Sequence, residues 1–315
     1  MSPQGPSLLW IPLAIVVGAA AGYLVPLFDV PYLVLYILHA IVIFHLALSL
    51  PLLSIGRAVG NGRVWRALLI LNLVIAPVLA FVLSRVVWHT PEMQIGVLLV
   101  LLAPGISLAL PVIRGAGGDA ESVLGVMPVF LAVVLLIVPV FTVFLSGGVF
   151  TFQDVVPTLI PVGLIVGVPV ILAAVFQALF IRRPGARAIG RLIHPRNTVG
   201  WAALALGATA FREVSFAPEW VSQLGWLVPL SIAFLVLMAP VSLLVSSLAG
   251  VSADKRRAIL ISAVGRGGLV IVPISLTLDH ETWGMVPLVI LVQIAIEAVG
   301  LMVYRSITPE IVLTR

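Results

Sequence analysis

Apolar residues do not alternate with polar ones along this chain; they run in long blocks separated by short polar connections. A helix crossing about 30 Å of hydrocarbon, at 1.5 Å rise per residue, needs about 20 predominantly apolar residues. Ten blocks meet that need or approach it, at about 8–28, 32–55, 66–88, 94–113, 123–145, 155–180, 197–213, 222–248, 257–278 and 283–304. The seventh is the shortest and carries Gly200 and Gly207. The first lacks the basic leader of a signal peptide and is long enough to span, so it reads as a helix of the protein itself. The pattern predicts an all-α polytopic membrane protein of ten transmembrane helices, with no soluble domain or low-complexity tail.

The charges test that count. Residues 54–66 hold Arg57, Arg63 and Arg66, and the stretch between runs six and seven holds Arg182, Arg183, Arg187, Arg191 and Arg196. Lys255, Arg256 and Arg257 lie between runs eight and nine, and Arg305 and Arg315 follow run ten. With ten spans these thirteen of the seventeen basic residues fall on one side. The other side keeps Arg85 and Arg212 beside Asp29, Glu92, Asp154, Glu213, Glu219, Asp279 and Glu281. The positive-inside rule then places both termini in the cytoplasm, in a cytoplasmic (inner) membrane. Composition agrees: 315 residues at 62% hydrophobic and 9% charged exclude a soluble globular enzyme. The net charge of +5 matters less than where the charges fall. The absence of cysteine excludes disulfides, thiolate metal sites and cysteine nucleophiles.

Two pairs of features recur at nearly one offset. Ile75-Ala76-Pro77-Val78 in run three is echoed by Met238-Ala239-Pro240-Val241 in run eight; Pro104-Gly105 followed by Pro111 in run four is echoed by Arg266-Gly267 followed by Pro273 in run nine. The chain therefore reads as two five-helix halves, residues 1–150 and 151–315, the second inverted by the odd number of crossings. Interrupted helices at corresponding places in inverted halves point to a transporter's binding site. Gln94 to Pro104 and Arg256 to Arg266 are each ten residues, about 15 Å of helix, so both breaks are expected near the bilayer midplane. The run Gly265-Arg266-Gly267-Gly268 is weak as helix, by about 1 kcal/mol per glycine relative to alanine. An unwound turn there must line a cavity or pack in protein, because lipid cannot satisfy its amides. Glycines serving only close helix packing are the alternative.

Ala103-Pro104-Gly105, then Gly117-Gly118-Asp119, then Ala263-Val264-Gly265-Arg266-Gly267-Gly268 resemble the bile acid:sodium symporter family, whose superfamily includes arsenite and auxin-efflux-type carriers. The resemblance implies a core domain of helices 3–5 and 8–10, with helices 4 and 9 crossing at their breaks, a panel domain of helices 1, 2, 6 and 7, and alternating access for small organic anions. It also shows departures. The family's sodium-binding Ser-Asn pair falls on Ala109 and Leu110, its helix 5 Thr on Met127, and its helix 9 Glu and Gln on Ala263 and Gly267. Only the helix 3 position keeps an amide, Asn72. Hard cations want oxygen ligands, and these side chains supply almost none.

Among candidate site residues Arg266 stands first, since a cation at the midplane marks function by default. There it can replace the ion as a fixed charge or receive a carboxylate; a structural ion pair with Glu297 is the alternative. Glu297 reads either as a proton carrier or as that counter-ion, and as the sole acid inside a helix. Gly265, Gly267, Gly268, Pro104, Gly105, Ser107, Asn72 and Gln293 complete the expected substrate-binding set, with interhelical hydrogen bonding the alternative for Asn72 and Gln293. His39 and His45 read as satisfied helix residues, Arg114 as a snorkelling side chain at the cytoplasmic mouth. No nucleotide loop, His/Asp/Glu metal cluster or catalytic triad spacing is present, so no cofactor, metal, enzymatic activity or nucleic-acid partner is expected. The expected partners are a small organic anion and the lipid bilayer, with no obligate protein partner inferred. The reading is a secondary transporter working by uniport, exchange or proton linkage. A sodium symporter using backbone ligands and a non-transporting sensor or channel are the alternatives.

Overall fold

The computed structural model describes residues 8–25, 30–53, 62–106, 108–180 and 195–313. Helices follow the ten apolar runs in order. They are α1 (Trp10–Leu24), α2 (Tyr32–Leu48), α3 (Gly62–Val87), α4 (Pro91–Leu102), α5 (Ala109–Gly115), α6 (Ala120–Leu145), α7 (Phe152–Leu179), α8 (Pro195–Phe216), α9 (Pro218–Leu248), α10 (Ala253–Val264), α11 (Gly268–Ser275) and α12 (Val286–Ile311). Among the described residues no strand forms. Five of the helices (α3, α6, α7, α9 and α12) are long and apolar enough to cross a membrane, and α1, α2 and α4 are shorter apolar helices. Leu136, Phe144, Ile160, Leu164 and Leu248 stand exposed on their outer faces, a surface suited to hydrocarbon rather than water.

Prolines shape several elements. Pro77 has no N–H to give the carbonyl four residues back, and its ring crowds that carbonyl. The helix widens there into a π-turn over Leu71–Ile75. Pro169 does the same behind a second π-turn, Gly163–Gly167. Helix α4 stops at Leu102 because Ala103 precedes Pro104 and is pushed to extended backbone, φ −76° and ψ 116°. Helix α10 stops where Gly265 turns extended, φ −69° and ψ 142°. The sequence predicts that the seventh run ends at 213, whereas α8 continues to Phe216.

Helices α1, α2, α7 and α8 pack on one another. The α1–α8 contact is glycine-mediated, a β-carbon on Gly18 running into the backbone of Gly207. Gln177 on α7 donates to the carbonyls of Ala47, Leu48 and Leu50 at the end of α2, and His39 meets Thr209 at 3.0 Å. Around the two breaks, α4 packs on α3, α6 and α12; α10 packs on α5 and α9; and α12 packs on α9 and α11. At one end of the molecule Arg257 donates to Val312 O at 2.8 Å and the Asp119 amide to Asp254 O. At the opposite end Trp283 donates to Asp154 at 3.0 Å.

Candidate functional site

The two extended stretches between half-helices lie side by side. Pro104 and Arg266 form an antiparallel bridge, and the Gly267 amide donates to Ala103 O at 2.9 Å. Backbones this close leave no room for side chains: a β-carbon on Gly105 would sit 2.7 Å from Gly265 O, and one on Gly267 would sit 2.6 Å from Pro104 O. None of these glycines has positive φ, so close approach, not left-handed backbone, is what requires them. Gly268 lets α11 start against the Ile294 side chain, whereas Gly265 has more space.

Unwinding frees main-chain groups, and each is met in a particular way. Arg266 is 3% exposed, and its guanidinium donates to Leu101 O at 3.2 Å and to Ala263 O, carbonyls in the last turns of α4 and α10. Such carbonyls have no intrahelical donor and form the negative end of the helix dipole. The guanidinium carbon lies 4.9 Å from the centroid of the Phe234 ring on α9. The Arg266 amide donates to Glu297 Oε1 at 2.8 Å, while Glu297 Oε2 has no hydrogen-bond partner among the described residues. The structure thus brings Arg266 and Glu297 together but corrects the expected side-chain ion pair. The carboxylate from α12 holds the loop amide, and the fork of the guanidinium turns to the two helix-end carbonyls.

The remaining predicted residues divide. Asn72 is buried in the π-turn of α3 and donates to Leu68 O at 2.8 Å, with no hydrogen bond to the crossover. Gln293, one turn before Glu297, is buried with its amide nitrogen unpartnered among the described residues. Ser107 lies outside the described residues. The aligned sodium positions are apolar as expected: Ala109, Leu110, Met127 and Ala263 are buried, and Gly267 gives its amide to Ala103. Phe234 escaped sequence reasoning because one phenylalanine in an apolar helix carries no mark, and the Leu101 and Ala263 carbonyls because every residue has one.

Two further features flank the crossover. A cleft of about 340 Å³ lies at the end where Arg257 and Val312 meet, between Leu48, Ser49 and Thr198 on one side and Leu110 and Arg114 on the other. Arg114, beside Glu121 at 3.0 Å, is exposed at this cleft. At the opposite end α2 and α8 are tied to the α11–α12 connection. Tyr32 Oη lies 2.9 Å from His280 Nδ1, Tyr36 donates to Leu276 O at 3.0 Å, and Arg212 donates to Val30 O at 2.8 Å while stacking over Tyr32 at 3.7 Å. Glu213 is fully buried there, 4.0 Å from both Arg212 Nε and His280 Nδ1. The sequence sets Arg212 and Glu213 at the last two positions of the seventh run, on the face opposite the basic loops, and counts Glu297 as the sole intrahelical acid. That count is corrected, because α8 runs on to Phe216 and carries Glu213 inside the helix.

The model of the Sodium Bile acid symporter family matches residues 36–211, more than half of the chain and including the first break. No curated protein matches the chain. The chain belongs to the sodium bile acid symporter family, whose members are membrane transporters, and its apolar helices make it an integral membrane protein.

Proposed function

We propose that this protein is a secondary transporter of a small organic anion that works by alternating access, and that the Arg266 guanidinium takes the place of a coupling sodium ion. The observation that carries the reading is the pair of bonds from that guanidinium to Leu101 O and Ala263 O. A cation is needed where two broken helices point their carbonyl ends at one another in a low-dielectric setting. Here the cation is covalently attached, and the side chains at Ala109, Leu110, Met127, Ala263 and Gly267 offer a free ion no ligands. The carbonyls that a backbone-only sodium site would draw on are already engaged, which counts against a sodium symporter of that kind.

The two packed groups, α1, α2, α7 and α8 against α3–α6 and α9–α12, serve in this reading as panel and core, built from two inverted five-helix repeats. The Ser49–Thr198–Arg114 cleft is the entrance, on the cytoplasmic side by the distribution of basic residues, and Arg114 draws the anion into it. The Tyr32–Arg212–Glu213–His280 cluster closes the other side. The conformation is therefore inward-open. Arg266 shapes the floor of the site by holding the crossover, with Pro104, Gly105, Gly265, Gly267 and Gly268 giving it room. Glu297 fixes the loop amide, so proton uptake by a Glu297 freed when substrate takes the guanidinium is no part of the proposed mechanism.

Proteoliposomes containing the protein test this. A panel of mono- and dicarboxylates small enough for the 340 Å³ cleft is expected to include at least one that is taken up saturably. Replacing sodium by choline should leave its initial rate within about twofold. A tenfold loss, equivalent to about 1.4 kcal/mol, would show sodium coupling through other ligands. Uptake of none of the panel, with passive ion conductance instead, would favour the channel.

A further inference from the structure

We infer that the groove between the start of α3 and the end of α9 is a binding site for one anionic phospholipid. The groove encloses about 410 Å³. Its polar end is made by Arg63 and Arg66, both exposed. Arg63 donates to Gly250 O at 3.3 Å and Arg66 to Gly62 O at 3.2 Å, and no carboxylate pairs with either among the described residues. Two guanidiniums held by main-chain contacts, with spare donors in a planar fork, match a phosphodiester's oxygens.

The apolar end points to a lipid rather than a soluble phosphate. Ile70 follows Arg63 and Arg66 on one face of α3, and Val74 and Val78 continue that face at helical spacing, 46%, 58% and 59% exposed. Leu248 of α9, 79% exposed, forms the opposite wall beside Val245. A charged head with an uninterrupted apolar stripe below it is the profile of a glycerophospholipid lying against the protein. The net positive charge at the head selects an anionic one. The site depends only on the chain lying in a membrane, not on which solute the protein carries.

The test uses the purified full chain, stripped of lipid in mild detergent, with melting temperature as the readout. Phosphatidylglycerol is expected to raise it by about 3 °C or more, and phosphatidylcholine and glycerol phosphate to leave it within about 1 °C. Arg63→Gln/Arg66→Gln should lose the phosphatidylglycerol shift while keeping the parent's lipid-free melting temperature within about 1 °C; if the double variant does not fold, the exposed Arg66→Gln alone should lose most of the shift. An equal rise with phosphatidylcholine would reduce the groove to a greasy contact, and a rise with glycerol phosphate would make it a soluble-anion site. No rise with phosphatidylglycerol, or a full rise in the double variant, would overturn the assignment.

Discussion

Truncating Arg266 to alanine would leave Leu101 O and Ala263 O buried with nothing to accept from, at about 1–3 kcal/mol for each. Arg266→Ala should therefore melt several degrees below the parent in detergent and lose transport. Arg266→Lys, a point charge without the fork, should fall between the two. For Glu297 the prediction separates acceptor from charge. Glu297→Gln keeps an oxygen for the Arg266 amide and should retain the parent's stability within about 1 kcal/mol, whereas Glu297→Ala should lose about 1–3 kcal/mol in the same unfolding assay. A Gln variant as damaged as the Ala variant would mean that the charge, not the acceptor, matters. Both residues were legible because an isolated charge inside an apolar run has to be explained. Arg212 and Glu213 were not, since a pair of charges at the end of a run looks the same whether the helix stops or continues for another turn.

At the level of elements, the breaks were readable from Pro104 and from the glycine run, because a proline constrains the residue before it and glycines weaken a helix wherever they cluster. What composition could not distinguish was which glycines touch backbone. Gly105→Ala and Gly267→Ala place a β-carbon against Gly265 O and Pro104 O, main-chain atoms that cannot swing aside, so both should separate the half-helices and sharply reduce folded yield. Gly167→Ala has nothing within 4 Å and should be neutral or stabilising by up to about 1 kcal/mol. Size-exclusion yield and melting temperature of the three proteins, measured side by side, check this. The two matched prolines also differ locally: Pro77 sits behind a π-turn, while its sequence counterpart Pro240 lies inside the regular part of α9.

In the proposed reading the molecule is open at the Ser49–Arg114 cleft and latched at the Tyr32–His280 cluster, and the absence of cysteine makes that directly measurable. A membrane-impermeant maleimide should label Ser49→Cys, half-buried in the cleft on the basic face, and should react slowly with Leu276→Cys, whose position is buried behind the latch. Burial, and then the Arg212 guanidinium, hold the His280 imidazole below its ordinary value. The latched form thus disfavours the protonated ring, so its stability is full above the free imidazole range near pH 6.5 and falls as the solution is acidified. Maleimide reacts with the thiolate, so every labelling rate falls on acidification. Divided by the rate of Ser49→Cys at the same pH, labelling of Leu276→Cys should rise as pH drops from about 8 to about 5.5, and that ratio should be flat when His280→Gln is added. None of this cluster could be assembled from sequence, because residues 32, 212 and 280 meet only through the packing of α2 and α8 on the α11–α12 connection. The central claim, that a tethered guanidinium stands where a sodium ion would, needs no knowledge of the substrate to be tested. The melting temperature of the purified protein, followed as sodium chloride replaces potassium chloride at constant ionic strength, should stay within about 1 °C; a saturable rise of several degrees specific to sodium would mean that the folded protein binds the ion and would contradict the account.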